Sequence, residues 1–193
     1  MTNDAFSHPK YLLRRKVLKL FGGAFHIFDE SGGLVLFGEL KAFKLREDIR
    51  VYPDELKSRE LLTIKARQII DFSSAYDVVD STSGQKVGGL RRKGLKSILR
   101  DEWQLLDAHD QHIGTVLEDG MLAALVRRFA TNLIPQGFHA EMGGTRVANF
   151  WQRFNPFVFK LEIDFTLDTD GRLDRRLGLA AAILLGAVEG RQH

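Results

Sequence analysis

The stretch Leu177–Val188, LGLAAAILLGAV, decides how the rest of the 193-residue chain has to be arranged. It carries no charge, follows Arg175-Arg176 and precedes Glu189. A helix of this length, rising ~1.5 Å per residue, spans only ~18 Å, against ~30 Å for the hydrocarbon core of a bilayer, so it is too short to cross a membrane unaided. It is also apolar on every face, and a helix without a polar face belongs inside protein. Its small residues Gly178, Ala180, Ala181, Ala182, Gly186 and Ala187 let surrounding backbone come close. The remaining sequence must therefore supply a wall that encloses this segment.

Upstream, one pattern recurs: an aromatic-led alternating strand, an Asp-containing turn, and a second strand that carries Gly. It is found in Phe25–Leu40 with the turn at Asp29–Gly33, in Tyr76–Leu90 with Asp80–Gly84, and in Trp103–Leu117 with Asp107–Gln111. Phe138–Arg153 repeats it with Gly143-Gly144 as the turn, and Phe157–Leu173 with Asp168–Gly171, so five hairpins are predicted. Each turn is rich in residues that tolerate left-handed backbone or hydrogen-bond their own chain. The stretch Leu40–Phe72 adds shorter alternating runs such as Glu60–Ile64 and Lys65–Ile70, and the turn signal Pro53-Asp54. A meander with so many hairpins hides its edges only by closing or by stacking. Met121–Ile134 breaks the pattern: apolar residues at 122, 125, 126, 129 and 133 follow helical spacing, Pro135 stops the run, and Arg127 and Arg128 fall on the outer side. The expected fold is mainly β: a closed antiparallel β-barrel around a hydrophobic C-terminal α-helix, with one additional mid-chain amphipathic helix as a plug or lid. A single domain over 1–193 is expected, with 1–9 a flexible N-terminus and 177–188 the central buried helix.

Composition supports one self-sufficient core. Apolar residues make up 44% of the chain, enough for a domain of this size to bury roughly 70% of its unfolded surface. Cysteine is absent, which excludes disulfides, thiolate metal sites and a cysteine nucleophile. Met1–Pro9 has no apolar run behind a positive start, so the expected location is the cytoplasm, with peripheral contact at the inner membrane face as an option.

The net charge of +3 matters because it is clustered. Between His8 and Lys19 lie Lys10, Arg14, Arg15, Lys16 and Lys19 with no acid; between Gln85 and Arg100 lie Lys86, Arg91, Arg92, Lys93, Lys96 and Arg100, again with no acid. Such clusters attract phosphate-bearing surfaces, and a solvated charged face is the plain alternative. Candidate anion-binding residues are Arg91, Arg92, Lys93, Lys96 and Arg100, helped by Arg14, Arg15 and Lys16.

Other chemistry is sparse. Asp168, Asp170 and Asp174 superficially suggest a calcium loop, but the twelfth position counted from Asp168 is Leu179 rather than the bidentate Glu such a loop needs, and a turn is the favoured reading. His109 and His112 read as turn residues without a third ligand, and His26 and His139 as pleat residues of strands. The glycines at 22–23 and 88–89 lack the strand-to-helix context of a phosphate loop. No nucleophile elbow, zincin helix or kinase signature occurs, so neither catalysis nor a cofactor is expected. Trp103, Trp151 and the 14 Phe read as core, without the spacing of a base-stacking groove, and no nucleic-acid partner is expected.

In their order, several segments resemble the tubby C-terminal-like superfamily, which includes the phospholipid scramblases and the LURP-one-related proteins. These are Tyr11–Leu20 followed by Phe25–Asp29, Tyr76–Asp80 with Val87-Gly88, Trp103–Asp107 with Ile113-Gly114, and the terminal apolar helix. The resemblance runs from about Tyr11 to Glu189. It implies a closed barrel of roughly a dozen strands around the C-terminal helix. Tubby-type members bind phosphoinositide headgroups through basic side chains, and scramblases are linked to membranes and calcium, whereas this chain lacks the cysteine-rich and Pro-rich segments of scramblases. Fold analogy alone does not choose a function. Two readings stand: a non-catalytic domain docking on anionic phospholipid or phosphoinositide headgroups, and a protein-interaction or structural module with no lipid ligand.

Overall fold

The computed structural model describes residues 4–16, 23–40, 48–67, 75–93, 102–119, 136–155 and 157–189. Twelve strands follow one another in the chain: β1 (Lys10–Lys16), β2 (Gly23–Phe28), β3 (Leu34–Leu40), β4 (Asp48–Tyr52), β5 (Leu62–Ala66), β6 (Ala75–Asp80), β7 (Lys86–Arg92), β8 (Glu102–Leu106), β9 (His112–Glu118), β10 (Gly137–Met142), β11 (Thr145–Arg153) and β12 (Val158–Asp164). Each pairs antiparallel with its neighbours in sequence, and β1 closes the barrel on β12 with Lys10 opposite Asp164 and Lys16 opposite Val158. No strand edge among them is left open, which answers the edge problem by closure. The interior holds α1 (Arg175–Glu189), the α-helix found among the described residues.

Period-two alternation decides which side chains meet the helix. In β2, Phe25 and Ile27 are fully buried while Ala24, His26 and Phe28 lie half-buried on the outer face. The same alternation sends Leu13, Ile64, Val78, Leu90, Leu105, Phe150, Leu161 and Ile163 inward. The helix has no exposed side: every side chain from Leu177 to Ala187 is buried, several completely. Burial of its large apolar residues contributes on the order of 10 kcal/mol as an upper figure, comparable with the ~5–15 kcal/mol net stability of a whole domain. No helix among the described residues is long and apolar enough to cross a membrane.

The aspartates predicted in the turns hold them. Asp29 Oδ1 accepts from Gly33 N (2.9 Å) and from Ser31 Oγ (2.6 Å), Asp80 Oδ1 from Thr82 N and Ser83 N, and Asp107 Oδ1 from His109 N and Gln111 N. Left-handed positions fall on Gly32, Gly84 and Asp110. Gly143 and Gly144 both have positive φ, as a two-residue turn matching the strand twist requires.

Four of the five predicted hairpins form; the fifth does not. After Asp164 there is no return strand, because the outer edge of β12 is taken by β1. Instead the chain turns inward through 165–174 and enters α1. The expected flexible N-terminus is also corrected from Asp4 onward: Asp4–Phe6 form a 3-10 turn with Ala5 buried, Tyr11 Oη donates to Ala5 O (3.2 Å), and Phe165 N donates to Pro9 O (2.8 Å). The expected amphipathic helix at 121–134 lies outside the described residues, as does Lys65–Ile70 beyond Arg67.

Two glycines mark where wall and helix touch. A Cβ on Gly88 of β7 would sit 2.4 Å from Leu106 O and 3.2 Å from a Leu177 methyl, and one on Gly178 of the helix 2.6 Å from the Phe165 ring. On the outer face Arg67, Asp77, Lys86 and Asp110 tie β5, β6 and β7 to the β8–β9 turn. Asp110 accepts from Lys86 Nζ (2.7 Å) and from Arg67, and these donors lower its carboxyl to about 2. Burial pushes the Asp77 carboxyl up, but hydrogen bonds from Arg67 and Lys86 outweigh it and hold Asp77 below its ordinary value.

Three outcomes follow. A chain ending at Arg176 is expected to be unfolded or insoluble; a cooperative melt near that of the full chain would refute the enclosed-helix architecture. Gly178→Ala, which by helix propensity alone gains about 1 kcal/mol, is expected to lose about 1–3 kcal/mol in urea denaturation because the added methyl meets Phe165. Asp110 is lower in the folded than in the unfolded chain, so its contribution is full above about pH 4 and is lost as pH falls toward 2. The side chain is exposed and the contribution modest, so Asp110→Asn should make the acid loss of stability shallower, read from denaturation midpoints across that range.

Candidate functional site

The two ends of the barrel differ. Odd-numbered strands run toward one rim and even-numbered strands start from it; the other rim carries the short turns, including the chain's entry into α1. The C-terminus of α1 emerges at the first rim, beside the end of β1, where Arg15 Nη1 donates to Gly186 O at 2.7 Å. Both basic clusters of the sequence end at this rim, one on β1 and one on β7. In the closed order β1 and β7 are six places apart in either direction, so they stand on opposite walls. A twelve-strand barrel with ordinary spacing and tilt is roughly 20–25 Å across from backbone to backbone.

Strand alternation splits each cluster. Arg14 is exposed on the outer face, with its guanidinium over the Phe28 ring (4.7 Å). Arg15 points inward and is only 8% exposed. It lies over the Phe25 ring and donates to Gly186 O and, at 3.4 Å, to Ala187 O. A cation on the last carbonyls of a helix satisfies groups that lack intrahelical partners and meets the negative end of the helix dipole. Arg15 is therefore structural, and its place in the candidate binding set is corrected. On β7, Arg91 is half-buried on the outer face, and Arg92 shares the inner side with Leu90, its guanidinium 5.9 Å from the Trp103 ring. Lys93 is exposed and paired with Glu102 (2.5 Å). Lys96 and Arg100, and the side chain of Lys16, lie outside the described residues.

Register brings together residues that sequence order keeps apart. Arg14 is opposite Lys160, and Lys160 is opposite Arg153, which makes a row of three cations on the outer face of β1, β12 and β11. Directly opposed residues have Cβ atoms about 5 Å apart. Arg153 pairs with Glu162 (2.6 Å), whereas among the described residues Arg14 and Lys160 have no acidic partner, nor does Arg91. Beside this row stand three exposed aromatics: Trp151 is 54% exposed, Phe154 53% and Phe157 67%. Assigning both tryptophans to the core is half right, since Trp103 is 2% exposed and Trp151 is an outer-face residue lying over Gly137, where a Cβ would come within 2.6 Å of its ring. Asn155 Oδ1 accepts from Phe157 N (3.0 Å) and Val158 N (2.9 Å) and fixes the short connection that carries these rings. The linear signal was present in WQRFNPF, 151–157, where aromatics flank an Arg and an Asn-Pro turn.

The acidic turn before α1 is occupied by its own chain. Asp168, whose side chain is 1% exposed, accepts from Arg172 N (2.8 Å), Leu173 N (3.1 Å) and Arg175 Nη1 (2.9 Å). Asp174 is the N-cap: its Oδ1 accepts from Arg176 N (2.9 Å), and its side chain chelates the Arg176 guanidinium. Arg176 also reaches Asp80 in the β6–β7 turn (2.7 Å). Burial pushes the Asp80 carboxyl up, but the Ser83 and Thr82 amides and Arg176 outweigh it and lower it. Asp170 is exposed and meets Arg172 at 3.4 Å. The turn is thus a capping device in which arginines and amides take the carboxylate oxygens.

His139 sits on the outer pleat of β10 with Asp119 Oδ1 at 2.5 Å from Nδ1 and Glu141 Oε1 at 2.9 Å from Nε2; Arg146 holds the same Asp119 oxygen at 3.3 Å. With both ring nitrogens engaged by carboxylates, the imidazole ties the end of β9 to β10, and Arg146 of β11 joins them through Asp119. An open groove of about 510 Å³ runs beside it, lined by Glu102, His112, Thr115 and Glu141 among others. Its acids are already paired, Glu102 with Lys93 and Glu141 with His139.

A family model described as LURP-one-related matches residues 34–186, from the start of β3 to the last turns of α1. No curated protein matches the chain. Strands β1 and β2, which close the barrel and supply Arg14 and Arg15, fall outside the matched span.

Two substitutions separate scaffold from surface. Arg15→Met, which keeps the apolar stem and loses the bonds to the helix carbonyls, is expected to cost about 1.5–3 kcal/mol, read from denaturant midpoints. Asp168→Ala is expected to cost about 2–4 kcal/mol whether or not calcium is added, because it leaves Arg175 and two amides without their acceptor. A calcium-dependent loss would instead make this turn an ion site.

Proposed function

The chain belongs to the LURP-one-related family, and on that footing we propose that it is a non-catalytic domain that docks end-on on anionic phospholipid headgroups through the rim where α1 ends. The observation that carries the reading is the convergence on one rim of outward cations without acidic partners among the described residues: Arg14 and Lys160 on one wall, Arg91 on the other. A small phosphorylated ligand would engage one wall. Cations on opposite walls of a barrel roughly 20–25 Å across suit a plane of many headgroups. Each basic residue near such a surface contributes ~1 kcal/mol, and the attraction falls off over a Debye length, so the affinity is useful and salt-sensitive. The interior supports no competing reading as a ligand carrier, because α1 fills the space a ligand would need. At the membrane the protein would be peripheral, on the cytoplasmic face where anionic lipid is concentrated.

Cosedimentation of the full chain with neutral and with phosphatidylserine-containing vesicles tests the reading. Binding should require the anionic lipid and weaken as salt is raised. Arg14→Glu with Lys160→Glu should weaken it by about 10–100-fold, and Arg91→Glu by a smaller factor, with melting temperatures unchanged since these side chains lie on the outer face. Equal binding to neutral and anionic vesicles, or charge-reversed variants that bind like the wild type, would remove the proposed surface.

A further inference from the structure

Trp151, Phe154 and Phe157 form the largest group of exposed aromatic rings in the described part of the molecule, and they stand at the same rim as the unpaired cations. Other exposed large apolar residues, Leu34, Leu56 and Leu167, belong to the opposite rim with the short turns and are spread over three separate connections. The three aromatics come from one hairpin: Trp151 is on β11, Phe154 just follows its end, and Phe157 just precedes β12.

Among the described residues, the barrel core is filled without these rings. The core is complete with Phe25, Phe138, Phe150 and Phe165 buried around α1, and the side of β11 and β12 that faces it is filled by Phe150, Leu161 and Ile163. Their presentation is nevertheless specified. The Asn155 side chain binds the two following amides and so sets the direction of the connection. Gly137 on β10 removes the Cβ that would collide with the Trp151 ring and lets the ring pack against the neighbouring strand.

Ring type and surroundings point to the occupant. Trp is the side chain most enriched at membrane–water interfaces, where a large ring meets acyl chain on one side and a polar NH meets headgroups on the other. Phe on either side of a turn adds apolar area that enters the headgroup–acyl boundary without a helix. The adjoining row Arg14–Lys160–Arg153 supplies the positive complement for anionic lipid. A protein partner would find cations across the patch, and the acids beside it among the described residues, Glu162 and Asp119, are already held by Arg153 and Arg146. We infer that the β11–β12 tip is a membrane anchor, with Trp151, Phe154 and Phe157 inserting into the interface of an anionic bilayer while Arg14 and Lys160 hold headgroups beside them. This inference rests on the docking reading and deepens it: charge brings the rim to the membrane, and the tip provides a part of the binding that salt does not remove.

The two tryptophans give a direct readout, because Trp103 is buried in the barrel and Trp151 is outside it. Trp emission of the full chain is recorded with vesicles of phosphatidylcholine and phosphatidylserine, with and without bromine on the acyl chains, alongside cosedimentation at low and high salt. The expected result is a blue shift on binding and quenching by brominated chains, both abolished by Trp151→Phe while sedimentation persists. Trp151→Ser with Phe154→Ser and Phe157→Ser should lose the salt-resistant fraction and weaken binding about tenfold or more, with thermal unfolding unchanged. Salt-sensitive sedimentation with unquenched Trp151, and a triple variant that binds like the wild type, would overturn the anchor and leave the docking reading standing. Failure to sediment with any vesicle would overturn both, and emission changes produced by a soluble protein partner but not by vesicles would assign the tip to that partner.

Discussion

A helix with no wet face governs this molecule. Its apolar residues cannot face solvent, so the strands must form a surface without a gap, and a closed barrel is the form of sheet that has none. The same enclosure creates a second requirement at each end of the helix, where backbone groups lack intrahelical partners. At the start, Asp174 caps the Arg176 amide and Asp168 binds the chain that leads in. At the end, where the wall is near and water is excluded, Arg15 reaches across from β1 to the carbonyls of Gly186 and Ala187. The closing strand thus does two things at once: it seals the sheet against β12, and it terminates the helix the sheet was closed around.

Charge follows from the same geometry. A run of consecutive cations in a strand is not a patch, because neighbours point to opposite sides. Arg14 and Arg15 differ by one position, and one faces solvent while the other is buried against the helix. Arg91, Arg92 and Lys93 are separated in the same way, with Arg92 beside Trp103 and Lys93 bound to Glu102. The contiguous cationic surface is instead transverse to the chain, running Arg14, Lys160, Arg153 across three strands.

That contrast explains what could be read from the amino-acid order. The helix, the barrel and four hairpins were legible because their signals are local: an uninterrupted apolar run, period-two alternation, and aspartates or glycines where a turn needs them. The fifth hairpin was misread because Asp168–Gly171 looks like any other turn, and only the pairing of β12 with β1 shows that no place remained for a return strand. The surface was legible in part. Arg14 and Arg91 stand out in the sequence as basic residues, Arg15 does so too although it serves the helix end, and Lys160 carries no linear signal, since register alone sets it and Arg153 beside Arg14. Residue type alone puts Trp151 in the interior, whereas its strand position, one step from buried Phe150, places it outside.

The order of elements along the chain has a further consequence, for how the fold is reached. The helix that occupies the interior follows all twelve strands, and the seam that closes the wall joins residues 10–16 to 158–164. During synthesis the strands therefore leave the ribosome before the segment they are to surround, with inward-facing rows that have as yet nothing to cover. Pairings this distant in sequence carry a large loop-closure cost and form slowly. A sheet that has not yet closed on its helix exposes inward-facing apolar rows and unpaired edges, the features that make incomplete β-structures prone to aggregate.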